Sequence, residues 1–147
     1  MVKNHAFIEV RDKKLLDESH PEKSLIMDIV KELKKLGIEC SEIKTPAFCV
    51  TTICKIGDSE IVITLFQIEK NESRLSGYSS IICVNAVTFP WWRRLLTRIP
   101  EELYDSGESL QYVCDQIGKI LSSDNRIGKV SWMTREEKRG KNKGENN

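Results

Sequence analysis

The sequence predicts an α+β domain, in which an antiparallel sheet of four to five strands carries two long amphipathic helices on one face. Two observations predict this class. Two segments have apolar residues at helical spacing, and three neighbouring segments rich in β-branched residues are joined by short polar stretches. The chain of 147 residues is long enough for one hydrophobic core. We therefore expect a single domain over residues 1–134 and a charged, disordered tail over residues 135–147.

The first long helix is predicted over residues 21–36. Pro21 suits the first helical position, and Gly37 is a common terminator just past the last one. Its predicted apolar face contains Leu25, Ile26, Ile29, Val30, Leu33 and Leu36. The preceding segment, DKKLLDESH, is polar and is expected to form a loop.

The second long helix is predicted from about residue 106 to residue 121. Asp105 and Glu108, three positions apart, are typical of a capping box at a helix start. The predicted apolar stripe contains Leu110, Val113, Cys114, Ile117, Ile120 and Leu121. Both helices therefore have one apolar side that can pack on a sheet.

Five strands are predicted, over residues 5–11, 47–56, 60–68, 78–87 and 127–133. The second to fourth strands follow one another closely, which is most simply an antiparallel meander. In the closing strand we expect Ile127, Lys129, Ser131 and Met133 to lie opposite Gly128, Val130 and Trp132.

The third predicted strand is apolar on both of its faces. Ile61, Ile63 and Leu65 point one way, whereas Val62 and Phe66 point the other way. A sheet with one face in water alternates more strictly between apolar and polar residues. We therefore expect another part of the chain to cover some of the second face.

The segment FPWWRRLLTRIP, residues 89–100, predicts a short Trp/Arg helix near the second face of the sheet or at its edge. The stretch between its two prolines is amphipathic at helical spacing. Its apolar arc contains Trp91, Trp92, Leu95, Leu96 and Ile99, and the remainder of the helix carries Arg93, Arg94, Thr97 and Arg98.

Three interpretations of this segment compete. The tryptophans could be buried on the second sheet face, near Phe48, Val50, Val62, Phe66, Ile82 and Val84. The segment could instead be a protein contact surface, with Trp91, Trp92, Arg93, Arg94 and Arg98 as its candidate residues. It could also bind an anionic membrane or phosphate surface through its arginines. We favour burial, because so much apolar surface in water is a liability for a monomer.

The net charge and the cysteine content limit the partners and the cellular location that we expect. The net charge is +1, whereas dedicated nucleic-acid binders usually carry a basic excess, so nucleic acid is not an expected partner. The sequence has neither a 20-residue apolar run nor a signal-peptide core, and we expect a cytoplasmic protein. The five cysteines are Cys40, Cys49, Cys54, Cys83 and Cys114. Their odd number and the lack of a C-x-x-C pair indicate reduced thiols that pack as small hydrophobic groups.

The sequence shows no motif that indicates a reaction. It has two histidines, His5 and His20, and no zinc, calcium, P-loop, dinucleotide or nucleophile-elbow spacing. We therefore expect no catalytic residue, no cofactor and no metal. An enzyme with a cysteine centre, such as His5 paired with a cysteine, remains an alternative.

The closing segment carries a family resemblance. Ile127, Val130 and Trp132 follow a predicted helix, and the chain resembles small bacterial α+β proteins that end in a strand of the form I-x-x-V-x-W. Some such domains resemble immunity proteins, which bind and neutralise a partner toxin. The resemblance implies a non-enzymatic module with a protein partner.

The alternative expectation is a peripheral binder of anionic membrane or phosphate surfaces through the Trp91–Arg98 segment. The oligomeric state is not predicted.

Overall fold

A computed structural model of the protein describes residues 3–56, 59–68, 80–86, 108–134 and 136–137. In chain order its elements are β1 (His5–Val10), α1 (Lys13–Leu16), α2 (Pro21–Lys35), β2 (Glu39–Cys40), β3 (Cys49–Ile56), β4 (Ser59–Phe66), β5 (Ser80–Ala86), α3 (Glu108–Ser122) and β6 (Ile127–Met133). The predicted α+β class is confirmed. Of the predicted tail, only Glu136 and Glu137 are described, and they are helical.

The strands form one antiparallel sheet with the order β2-β3-β4-β5-β1-β6. The meander predicted from the three central segments is confirmed as β3, β4 and β5. The described sheet has six strands rather than four to five. The additional strand, β2, is only two residues long and pairs with β3 at the edge. A strand of that length has no alternation that a sequence pattern could reveal.

One face of the sheet packs against the helices, and we call it the helix-side face. Ile61, Ile63 and Leu65 of β4 are fully buried there, in one core with the apolar sides of all the described helices. The core residues that the helices contribute are Leu15, Leu25, Ile26, Ile29, Val30, Leu33, Leu110, Val113, Cys114, Ile117 and Leu121. The alternation predicted for this strand is therefore confirmed.

The face assigned to three residues of the neighbouring strands was wrong. Val50 and Ile82 both lie directly opposite Leu65, and Val84 lies opposite Ile63. Residues that are directly opposite on neighbouring strands share a face, so all three belong to the helix-side core. Alternation within one strand does not reveal its register against the next strand, and a register error exchanges the two faces.

The other face, which we call the second face, carries Val62 and Phe66 as predicted. Val62 is half-buried and Phe66 is partly exposed. Towards β5, β1 and β6 the same face is shielded from solvent. Four side chains are buried there, separate from the helix-side core: His5, Phe7, Cys83 and Met133. The segment predicted to cover this face, residues 89–100, lies outside the described residues.

Helix α2 ends one residue earlier than predicted. Gly37 takes a φ of 85°, which is favourable for glycine, and its N–H donates to the Lys34 carbonyl at 3.0 Å. The Ile38 N–H donates to the Leu33 carbonyl at 3.2 Å, which completes a Schellman motif. Leu36, predicted to lie on the apolar face, is instead 50% exposed because it caps the helix.

The predicted loop before α2 contains a short helix, α1. Asp12 accepts a hydrogen bond from the Lys14 backbone N–H at 3.0 Å and so caps its first turn. Leu15 is buried in the helix-side core. One turn of helix is too short to show a helical period, although the capping aspartate was visible in the sequence. At α3 the predicted capping residue Asp105 lies outside the described residues.

The closing strand, β6, does not alternate as predicted. Ile8 of β1 lies opposite Val130, whereas Val10 lies opposite Ile127, so β6 carries one extra residue, as at a β-bulge. Ile127 therefore shares the helix-side face with Val130 rather than lying on the other face. Gly128 occupies the extra stretch, and a Cβ there would collide with the side chains of Glu9 and Arg11.

Candidate binding site at Phe48

The contact surface predicted from the sequence consists of Trp91, Trp92, Arg93, Arg94 and Arg98. All five residues lie outside the described residues, so this surface stays a prediction. The described part of the chain contains a different candidate, at the end of the sheet where β3 begins and β4 ends. It brings together the start of α2, the loop before β3 and the residue that follows β4.

Phe48 is the most exposed large apolar side chain of the described residues, with 77% of its surface in contact with solvent. Its φ is 70°, a left-handed conformation that costs a bulky residue on the order of 1–2 kcal/mol. The conformation is held by the backbone: the Cys49 N–H donates to the Pro46 carbonyl at 3.3 Å, and the Gln67 N–H donates to the Phe48 carbonyl at 2.9 Å. A solvent-exposed ring gains little from packing, so packing does not explain why a phenylalanine occupies this strained position. The conformation therefore points to a functional role.

Glu22, in the first turn of α2, brings a carboxylate to the same place. Pro21 begins the helix, His20 precedes it, and Glu22 follows in the first turn. That side chain is 13% exposed, and its Oε1 atom lies 3.8 Å from His20 Nδ1. The other oxygen, Oε2, is buried and accepts no hydrogen bond from the described part of the chain. A buried carboxylate oxygen without a donor is uncommon, because losing water without a replacement costs free energy.

These groups line one cavity of about 350 Å³, which we call the Phe48 cavity. Its wall includes His20, Glu22, Pro46, Phe48, Cys49 and Gln67. The cavity offers an aromatic ring, a carboxylate acceptor, an imidazole and an amide within a space large enough for one side chain. That set suits a ligand group that is cationic, donates hydrogen bonds and stacks on an aromatic ring.

Sequence reasoning missed this site for identifiable reasons. Phe48 was placed inside a strand predicted over residues 47–56, whereas β3 begins at Cys49. The positive φ comes from the turn at Pro46, and the residue type at position 48 gives no signal for it. His20 directly precedes α2, but the proximity of Gln67 depends on the β3–β4 register.

The cysteines are free thiols, and two of them lie side by side. Cys40 of β2 is directly opposite Cys54 of β3, and their Sγ atoms are 3.4 Å apart. A hydrogen bond from the Cys54 thiol lowers the pKa of Cys40, and the Lys34 charge acts in the same direction against the effect of burial. The same hydrogen bond, together with burial, raises the pKa of Cys54. Burial raises the pKa of Cys114 to about 12, so this thiol is inert at neutral pH.

The predicted alternative of a Cys–His centre concerned His5. The sheet register places His5 opposite Cys83 on the second face. Its Nδ1 atom lies 2.9 Å from the side-chain oxygen of Asn4. Both His5 and Cys83 are buried, which hinders access of a substrate to this pair. The alternative therefore stays an untested hypothesis.

A larger groove of about 760 Å³ between α2 and α3 contains an internal ion-pair network. Arg126 Nη2 lies 2.7 Å from both Asp28 Oδ2 and Asp124 Oδ2. The hydrogen bond from Arg126 lowers the pKa of Asp124, and the pairing with Asp124 raises the pKa of Arg126. Asp28, Asp124 and Arg126 already pair with one another, so this cluster of charges is explained by structure alone.

Among the described residues, no group of three or more histidine, cysteine or acidic side chains is arranged to hold a metal ion. In the same ranges no helix combines the length and the apolar character needed to cross a membrane. Comparison of the chain with protein-family models, with curated proteins and with solved structures gives no match. The proposed function therefore depends on the geometry of the site.

Proposed function

We propose that this protein is a small, non-enzymatic, protein-binding module of the immunity-protein type, and that the Phe48 cavity receives a basic side chain of its partner. One observation carries the proposal: the strained, solvent-exposed ring of Phe48 lies at the same cavity as the buried, unpaired Glu22 oxygen. The five free thiols support an action in the reducing cytoplasm.

Arginine fits this cavity best. Its guanidinium donates several hydrogen bonds in a fixed plane and stacks on aromatic rings, so one group offers both kinds of contact that Glu22 and Phe48 can make. A cation over an aromatic ring contributes about 0.5–2 kcal/mol, and a hydrogen bond to a charged group about 1.5–3 kcal/mol. Arginine is also among the residues most enriched at binding hot spots.

Lys23 lines the cavity too, and its positive charge opposes a cationic ligand. Lys23 is exposed, whereas the Glu22 side chain is only 13% exposed. Water and salt screen an exposed charge much more strongly than a buried one. The Glu22 carboxylate therefore dominates the electrostatic potential inside the cavity, and Lys23 affects mainly its rim.

The alternative function, peripheral binding of an anionic membrane or phosphate surface through the Trp91–Arg98 segment, depends on residues outside the described ranges. No contact or charge of the described residues favours it. An enzyme built on a cysteine is the other alternative from the sequence. Both stay predictions from the sequence.

The proposal is tested by selecting a random twelve-residue peptide library on the immobilised protein. Sequences that also bind the Phe48→Ser variant are subtracted. We expect the remaining peptides to share an arginine. Replacing that arginine by alanine should weaken binding roughly tenfold or more in fluorescence anisotropy, the equivalent of about 1.4 kcal/mol.

Three variants of the protein serve as matched comparisons. Phe48→Ser and Glu22→Gln should each raise the Kd for an enriched peptide about tenfold. Tyr112→Ser removes another partly exposed aromatic ring, on α3, and should leave the Kd unchanged. Equal binding of the enriched peptides by wild type and Glu22→Gln, or peptides without any preference for arginine, would refute the proposed site.

A further inference from the structure

Cys40 and Cys54 form a pair of thiols that is independent of the Phe48 cavity. They are cross-strand neighbours in β2 and β3, with their Sγ atoms 3.4 Å apart. A disulfide needs a separation of about 2.05 Å, so the sulfurs have to approach by only about 1.3 Å. Because β2 is a two-residue strand at the edge of the described sheet, Cys40 can make this movement without disturbing the core strands.

The two thiols are not equivalent. Cys54 is completely buried, whereas Cys40 is half-buried and therefore open to a small reagent. The hydrogen bond from Cys54, together with the nearby charge of Lys34, lowers the pKa of Cys40 and raises the fraction of reactive thiolate. This arrangement gives Cys40 the role of the attacking sulfur and Cys54 the role of the second, resolving sulfur.

We propose that Cys40 and Cys54 form a reversible oxidation site whose oxidant is a small hydroperoxide. The Cys40 thiolate attacks one peroxide oxygen, the O–O bond breaks, and the departing hydroxide takes a proton and leaves as water. Cys40 is then a sulfenic acid. Cys54 loses its proton and attacks the Cys40 sulfur, and the hydroxyl group leaves with that proton as a second water. Two thiols and one hydrogen peroxide thus give one disulfide and two waters.

The disulfide would close a loop that contains residues 41–53. This loop carries Phe48 and the other cavity residues from 45 to 50. Cross-linking the ends of a short loop limits the freedom of the unfolded chain, so the oxidised protein should be more stable. We expect its Tm to exceed that of the reduced protein by roughly 5–10 °C.

The test uses the full chain, freshly reduced, freed of reductant and treated with one equivalent of hydrogen peroxide. Intact mass spectrometry should show a loss of about 2 Da, reversed by dithiothreitol. A tryptic digest should contain the peptide LGIECSEIK, which carries Cys40, linked to TPAFCVTTICK through Cys54 rather than Cys49.

Single variants distinguish this pair from the other thiols. Cys40→Ser should abolish the mass loss, and Cys54→Ser should leave a sulfenic acid at Cys40 that dimedone labels. Cys49→Ser is the matched control, because Cys49 is also half-buried but lies opposite Phe66 on the second face. It should oxidise like the wild type. Linkage through Cys49 in the wild-type digest, or oxygen addition without any loss of 2 Da, would overturn the proposal.

Discussion

Gly118 of α3 faces the indole of Trp132 in β6, and a Cβ built on Gly118 would lie 3.6 Å from the Trp132 Nε1 atom. That separation is an ordinary van der Waals contact, so a methyl group fits at this position, whereas a longer side chain has to share the space with the indole. The pair marks where α3 crosses the last strand. It also gives the tryptophan of the closing I-x-x-V-x-W segment a structural role.

Gly118→Ala should stabilise the protein. Alanine favours a helix over glycine by about 0.8–1 kcal/mol, and the new methyl group fits against the indole. Thermal denaturation followed by circular dichroism should show a higher Tm. Gly118→Leu is the comparison: its larger side chain has to displace Trp132 and should lower the Tm. A destabilising alanine would show that α3 lies closer to β6 than the structure indicates.

Phe48→Gly should raise the stability of the protein and abolish its binding of the selected peptides. Glycine adopts the observed φ of 70° without strain, so this change should raise the free energy of unfolding by up to about 1 kcal/mol. Phe48→Ala keeps the strained conformation and should bring no such gain. Both variants should lose binding of the selected peptides, because both remove the ring. Chemical denaturation measures the first effect, and anisotropy measures the second.

Asp124 should make the fold sensitive to acid. Its pKa is lowered from the ordinary value of 3.8 by the hydrogen bond from Arg126, so its folded-state pKa lies below its unfolded-state pKa. The stabilisation is present above the unfolded pKa and is lost as the pH falls through the folded pKa. Asp124→Asn should therefore cost about 1–2 kcal/mol at pH 7 and clearly less near pH 2, well below the unfolded-state pKa.

Urea denaturation at both pH values measures this difference for wild type and variant. Glu32→Gln is the control, because Glu32 pairs with Lys35 at 3.0 Å in an exposed ion pair. Such pairs contribute little, and this variant should cost less than about 0.5 kcal/mol at either pH. A constant cost of Asp124→Asn across the whole range would contradict the linkage.

The sequence prediction for residues 89–100 also has a direct test. If Trp92 covers the second face of the sheet, Trp92→Ala should lower the free energy of unfolding by roughly 3 kcal/mol or more. Of the residues that this segment is expected to cover, Val62 and Phe66 lie on the second face. Trp92→Phe, which keeps most of the apolar area, should lose much less. An unchanged Tm for Trp92→Ala would contradict burial.

The elements with strong periodicity were predictable. Helix α2 and strands β3 and β4 lie within two residues of their predicted bounds, because the alternation or helical spacing of apolar residues reflects which side faces the core. The register between strands was not predictable in the same way. It decides that Val50 belongs to the helix-side core and that Cys40 meets Cys54. One strand's own pattern contains no information about its neighbour's register.

Local irregularities were the other source of error. The extra residue in β6 puts Ile127 on the face opposite to the predicted one, and the turn at Pro46 gives Phe48 its positive φ. Both features depend on how the backbone is held by distant segments. The candidate site consists of such features, which explains why the sequence did not indicate it.

The most direct test of the account is an NMR titration of the isotope-labelled protein with N-acetyl-argininamide, compared with N-acetyl-citrullinamide. Citrulline has nearly the shape of arginine without its charge. We predict millimolar binding of the arginine compound, with amide shift changes at Lys23, Cys49 and Gln67, and at least tenfold weaker binding of the citrulline compound. The arginine effect should disappear in Glu22→Gln. Equal shifts with both compounds, or shifts confined to other surfaces, would contradict the proposal that the Phe48 cavity recognises a cation.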